Sequence, residues 1–467
     1  MPKVKIISVL LATLVATPAQ AIDVAKVREI ISDPKGLAAP GCAAGAFRGG
    51  KTLFVTAAGS GDIEKGKPLD GDTLFYAASV SKQFTALAAA KLIEQKKLSL
   101  DDDVRKYLPE LPEYEVPVTV RMLMLHTAGI RDSLELIRLA GIDSAADTDK
   151  ATALKLLFAQ KSTNFTPGIA YTYSNGGYLL LAEIVERVSG MPFADYAKKA
   201  ILRPLGMKRS FFMNDAKPGG TNIAHGYVPV GEGFEIRDTY PTFSGSGGLM
   251  VTINDLARFD RDIEVGHKVW TPAVAKIMTT PGTFTNGEPA LEERTGLVYG
   301  GGLMIGSRNG QYFVQHGGGA EAFKNMYARL PERKLGVAVF CNRGDWVSQD
   351  KADEIIEVIE GDILTAADAS AAAKPALDDR YLSDELQATY DVSIVGDELK
   401  AVVTSPYARA PGEPLTLKRN PDGSFGGLGT RLIFDEDGQG FTIKSSRVHA
   451  LRFRRADRSK DIGENSQ

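Results

Sequence analysis

Only two cysteines occur in 467 residues, Cys42 and Cys341. That excludes a disulfide-framework scaffold. Both lie in apolar, strand-like runs, so they read as buried free thiols unless the two runs are neighbours. An excess of one charge is also missing: 55 Lys+Arg stand against 58 Asp+Glu, a formal net charge of −3. No basic run interleaved with aromatics appears, so neither nucleic acid nor an anionic membrane surface is an expected partner. Histidine is scarce, five in all, and His225, His267 and His449 lack the carboxylate or cysteine spacing of a metal site. No metal or cofactor is expected. Beyond the N-terminus no apolar run is long enough to cross a bilayer.

The N-terminus is different. Lys3 and Lys5 precede an apolar stretch from Ile6 to Val15, and Ala19-Gln20-Ala21 has the small-x-small form of a cleavage site. Residues 1–21 are therefore expected to be a signal peptide, and the mature protein to begin near Ile22 in the periplasm or outside the cell. The length allows about two or three domains. Strand signals near residues 42–58 and again over 303–342 bracket a mainly helical stretch, which suggests an α+β domain over 22–365 with an antiparallel sheet flanked by helices. AADASAAAKPA reads as a linker, 366–376. Residues 377–456 alternate polar and apolar in short runs broken by Gly-Asp and Asp-Gly turns, which predicts a small all-β barrel, with a disordered tail over 457–467.

One motif is a decoy. Gly45, Gly50, Lys51 and Thr52 fit a phosphate-binding loop, but that loop needs a helix start immediately after it, and TLFVTAAG is strand-like. No G-x-S-x-G elbow is present either, which argues against an α/β-hydrolase.

Three other islands carry chemistry. In YAASVSKQFTAL, Ser79 and Lys82 are one helical turn apart where a helix is expected from Val80 to about Gln95, so the amine can reach the hydroxyl. A lysine can serve as a base only if burial or a neighbour lowers its pKa from about 10.4. In TYSNGGYLLLAEIVERVSG, Tyr173 and Asn175 lie two residues apart on an extended stretch ahead of a helix, and so point to one side. In FVQHGGGAEAF, His316 ends a strand and is followed by glycines that let backbone amides approach a ligand.

Taken in order, Ser79-Val80-Ser81-Lys82, Tyr173-Ser174-Asn175 and His316-Gly317-Gly318 resemble the three motifs of the penicillin-recognising serine hydrolases. This superfamily includes class C β-lactamases, DD-carboxypeptidases, family VIII carboxylesterases and D-aminopeptidases. LHTAGIRD, GSGGLMVTINDLARF and LPERKLGVAVFCN add to the likeness, which spans about residues 36–362. It implies Ser79 as nucleophile, Lys82 and Tyr173 sharing the proton transfers, and Asn175 binding both Lys82 and substrate. It also implies His316, Gly318 and Gly319 along the substrate strand, with the amides of Ser79 and Gly319 as an oxyanion hole. His126, in LHTAGIRD, reads as a fold-supporting residue. The H-x-G third motif replaces the Lys-Thr-Gly of β-lactamases and removes a fixed cation, as in the esterase and D-aminopeptidase branches. Expected substrates are therefore small esters, amides or peptides, some with D-residues. A β-lactamase or DD-carboxypeptidase is the alternative, and a non-catalytic penicillin-binding sensor a further one. The superfamily's sheet order sets the first strand beside the last, which would let Cys42 face Cys341 and form a disulfide.

Overall fold

The computed structural model describes residues 22–456 apart from 141, 143–145, 147, 216–218, 293–294, 365–376, 384–387, 405–413, 421–422, 428–429, 436–437 and 446–450. The expected signal peptide, the 366–376 linker and the 457–467 tail lie outside the described residues.

Apolar runs with β-branched residues at both ends of the main domain meet in one antiparallel sheet of eight strands. From edge to edge these are Leu291–Glu292, Leu297–Tyr299, Met304–Arg308, Gln311–Gly319, Lys324–Leu330, Leu335–Cys341, Cys42–Arg48 and Lys51–Ala58. The chain's first strand thus pairs with the domain's last, in the register Cys42↔Cys341 through Arg48↔Leu335. This sets Cys42 opposite Cys341 with Cα atoms 4.0 Å apart, and the two are joined as a disulfide. Of the two readings left open for the cysteines, the structure adopts the bridge.

The unbroken hydrophobicity of Leu335–Cys341 has a simple cause: both faces of the sheet are covered. Ala338 and Phe340 face the large helical core, whereas Val337 and Val339 face a smaller one. That second core is closed by helices Val24–Ile30 and Ser348–Glu360. Between strands Cys42–Arg48 and Lys51–Ala58, Gly49 and Gly50 form a two-residue hairpin turn with φ of 54° and 78°, the left-handed pair that such a turn requires. A strand rather than a helix follows Lys51, so the phosphate-loop pattern has no helix N-terminus to work with.

Two helices matter most for the site. Helix Ser81–Glu94 is buried on nearly every side, which its alanines permit. Helix Asn175–Ser189 buries Leu179, Leu180, Leu181, Ile184 and Val185, each stabilising the fold by roughly 1.5–3 kcal/mol relative to exposure. It stops at Gly190, whose φ of 68° is the left-handed stop expected from the sequence. Among the described residues no helix is long and apolar enough to cross a membrane.

Residues 379–455 close into an eight-stranded barrel, as the turn pattern predicts, with strand Asp379–Ser383 pairing with the last strand, Leu451–Arg455. Its core is separate and rich in aromatics: Tyr381, Phe425, Phe441 and Phe453 are fully buried.

Candidate active site

The site forms where helix Ser81–Glu94 begins against the middle of the sheet. The helix starts one residue later than expected, because Ala78–Val80 forms a turn of 3-10 helix ahead of it. Ala78 holds a left-handed φ of 48°, a conformation that costs a non-glycine residue about 1–2 kcal/mol. Ser79 sits half-exposed on this tight turn. It is not a helix cap: Val80 occupies the N-cap position and no side chain caps the helix. The Ser79 hydroxyl is therefore free for other partners.

Lys82 is one of them. Its side chain is fully buried, with Nζ 3.2 Å from Ser79 Oγ, 2.8 Å from Asn175 Oδ1 and 2.8 Å from the Ser246 carbonyl oxygen. The last two can only accept hydrogen bonds. A neutral lysine has two N–H bonds and one lone pair, so two N–H groups bind Asn175 and Ser246 and the lone pair faces Ser79. Burial pulls the Lys82 pKa down to about 7, although the charge of Asp132 acts in the opposite direction. An ordinary surface lysine is protonated at neutral pH, whereas this one is poised between its two forms.

Tyr173 completes the triangle. Its side chain is hydrogen-bonded to that of Ser79, and burial pushes its phenol well above the ordinary range while that hydrogen bond pulls the other way. It therefore carries its proton at neutral pH. The ring lies 4.8 Å from Lys82 Nζ. Its position is fixed by His126, which has a left-handed φ of 60°. The His126 carbonyl accepts from Thr172 N at 3.0 Å, Nδ1 accepts from Ser174 N at 3.2 Å, and the imidazole packs 4.3 Å from the Tyr173 ring. Asn175 is not on the extended stretch, as the sequence pattern implies, but is the first residue of its helix. Ser174 is the extended N-cap, and its hydroxyl accepts from Gly177 N. The cap rather than a strand's alternation turns Asn175 towards Lys82.

His316 lies behind this group with its ring centroid 6.2 Å from that of Tyr173. Its Nδ1 contacts the Gly317 carbonyl oxygen at 2.6 Å and its Nε2 contacts the Tyr299 hydroxyl at 2.7 Å. A carbonyl only accepts, so Nδ1 carries the hydrogen and Nε2 accepts from Tyr299. Burial, aided by Lys82, pushes its pKa down to about 3. The third motif therefore offers no cation, and both ring nitrogens are already engaged. Gly318 has a steric reason to be glycine: a Cβ there would lie 2.2 Å from the Ala77 carbonyl oxygen. Only a bare backbone lets this strand close on the Ser79 turn. Gly319 pairs with Lys324 at the strand's end, with open space where its Cβ would be.

A model of one known family, described as Beta-lactamase, matches residues 27–359. The chain belongs to the Beta-lactamase family. Among relatives in this family, a D-aminopeptidase of Gluconobacter oxydans is 27% identical over 312 residues, 66% of this chain and 57% of that protein. Penicillin-binding protein 4* of Bacillus subtilis is 29% identical over 322 residues, 66% of this chain and 69% of its own length. The chain thus spans only a little over half the length of the D-aminopeptidases it matches, 57% and 58% for two of them. The octameric penicillin-binding protein homologue from Pyrococcus abyssi superposes with a TM-score of 0.63 at 25% identity, covering 89% of this chain and 96% of that one.

Sequence reading did not single out Asp132, Tyr299 or Ser246 as parts of the site. Asp132 and Ser246 lie inside stretches that carry the family likeness, LHTAGIRD and GSGGLMVTINDLARF. Tyr299 lies outside any of them, and only the sheet brings it to His316.

Proposed function

We propose that this chain is an exported serine hydrolase that forms an acyl-enzyme through Ser79 and acts on small esters, amides or peptides. The observation that carries the reading is the buried Lys82, whose lone pair has Ser79 as its one unassigned partner. Neutral Lys82 takes the proton as Ser79 Oγ attacks the carbonyl carbon. The resulting oxyanion is received by the backbone amides of Ser79 and Gly319. Tyr173, held protonated and bonded to Ser79, donates a proton to the departing alkoxide or amine and is reprotonated from Lys82. Water then repeats the sequence on the acyl-enzyme, and the acid is released.

The names of relatives favour amides and peptides with D-residues: D-aminopeptidases among sequence relatives, and a D-amino acid amidase from Ochrobactrum anthropi among structures of the same fold. The neutral, fully engaged His316 weighs against tight anchoring of an anionic β-lactam, since no imidazolium faces its carboxylate. Neutral acyl donors suffer no such loss.

The test is a panel of p-nitrophenyl esters, D- and L-amino acid anilides and nitrocefin, run on wild type and Ser79→Ala. Whichever substrate turns over in wild type should lose about ten-thousand-fold or more in the variant. Equal turnover in both proteins would remove Ser79 as nucleophile.

A further inference from the structure

Behind the amine stands a carboxylate that makes no contact with the nucleophile. Asp132 precedes helix Ser133–Leu139, and its Oδ1 accepts from the amides of Leu134 and Glu135 at 2.9 and 3.0 Å. Its Oδ2 accepts twice from Asn175, from the backbone N at 2.7 Å and from Nδ2 at 2.8 Å. One carboxylate thus joins the N-termini of two helices, where the helix dipoles favour negative charge. An amide side chain has one acceptor end and one donor end. With Nδ2 given to Asp132, Oδ1 must point the other way, and there it accepts from Lys82 at 2.8 Å. Turned over, Asn175 would set N–H against the amine and oxygen against the carboxylate, two repulsive contacts in place of two bonds.

We propose that Asp132 is a positioning residue for acylation, holding Asn175 oxygen-first towards Lys82 and supplying the negative charge that offsets burial of the amine. This rests on the reading of Ser79 and Lys82 given above. The groups that face or act on Lys82 come from every side: Ser79 on the preceding turn, Tyr173, Asn175 and Tyr178, the Ser246 carbonyl, and the two imidazoles His126 and His316. Burial keeps His126 and His316 neutral and keeps the phenols of Tyr173 and Tyr178 protonated. Asp132 is the charge left to favour the ammonium form of Lys82.

The experiment uses a fluorophosphonate probe, which needs no knowledge of the substrate. Its phosphorus bonds to Ser79 Oγ, fluoride leaves, and the hydroxyl proton passes to Lys82. The labelling rate is followed by intact mass across pH in the full chain and in Asp132→Asn, which retains an oxygen to cap helix Ser133–Leu139. Loss of the charge should move the acid limb down by about one unit, the lower end of what a nearby opposite charge does to a pKa. The plateau rate should fall about tenfold as Asn175 loses its fixed orientation. If Asp132→Asn does not accumulate in folded form, Asp132→Ser keeps the cap without the charge and carries the same expectations. An acid limb that stays in place in either folded variant, with or without a slower plateau, overturns the proposal. Wild type that is never labelled, or Ser79→Ala labelled as fast, would instead sink the acyl-enzyme reading and this inference with it.

Discussion

The seam at Ser79 and the C-terminal barrel bury side chains for opposite reasons. Around Ser79 the interior is full of polar groups at a cost: a buried lysine, two buried imidazoles, and phenols raised by desolvation. Among the described residues His126 Nε2 has no hydrogen-bond partner. In the barrel, Phe441 stacks on Phe453 with ring centroids 4.7 Å apart, and Tyr381, which packs against Phe441 at 5.0 Å, still reaches a carbonyl with its hydroxyl at 3.0 Å. Charges there meet at the surface, as in Arg380–Asp391. The described core of the barrel is apolar apart from the buried, unpartnered Ser383 Oγ, whereas the seam packs several buried ionisable groups within a few ångströms. Such a concentration is expected where a protein does chemistry, and it makes the two regions respond differently to mutation.

The largest effect should come from Lys82→Met. Removing the group proposed to take the proton of Ser79 should slow acylation by about a thousand-fold, within the usual reach of a general base. Stability should move much less, because Asn175 Oδ1 and the Ser246 carbonyl lose a partner while a desolvated amine is also removed. The pH dependence carries the sign. The Lys82 pKa falls from 10.5 unfolded to about 7 folded, so between these values the unfolded chain binds the extra proton. Stability due to this residue therefore rises with pH from about 7 towards 10.5 and is flat below 7. Denaturant midpoints of wild type minus variant should climb across that window. A flat difference would mean that the amine is charged in the folded protein.

Gly318→Ala should come next. The new methyl would meet the Ala77 carbonyl oxygen at 2.2 Å, so strand and turn must separate by about 1 Å. A shift of that size at a nucleophile costs about a hundred-fold in rate. Gly319→Ala, which meets nothing within 4 Å, is the control and should stay within about threefold on kcat/KM for whichever ester the wild type hydrolyses. Equal losses in the two variants would refute the steric account.

The two regions also differed in how far they could be read in the chain. Ser79, Lys82, Tyr173, Asn175 and His316 were legible because reactive residue types recur at spacings that local geometry converts into proximity. Asp132 was not, because its role depends on two helix N-termini meeting, which no local pattern encodes. Nor was the tautomer of His316, which the Gly317 carbonyl sets, nor its partner Tyr299, which comes from the second strand over in the sheet. Helix Ser81–Glu94 was found but its start was misplaced by a 3-10 turn, and Asn175 was expected ahead of a helix that it in fact begins. Alternation and Asp-Gly turns announced the barrel, but closure of strand Asp379–Ser383 on Leu451–Arg455 depends on sheet stagger that a sequence does not display.

Phe441→Ala tests the comparison from the barrel side, where the smallest effect on turnover is expected. Its ring is fully buried and touches those of Tyr381, Tyr390, Phe434 and Phe453. Truncation should destabilise the barrel by about 3–5 kcal/mol, a large part of what a module of this size retains. Thermal unfolding should then show an early transition that wild type lacks, while hydrolysis of a small ester below that temperature changes by less than about twofold. Among the described residues, the partners of Lys82 at this site, Ser79, Asn175 and Ser246, all lie outside the barrel. If ester turnover instead fell in step with the early transition, the barrel would have to hold the Ser79 turn in place, and the polar seam would owe its geometry to the apolar module.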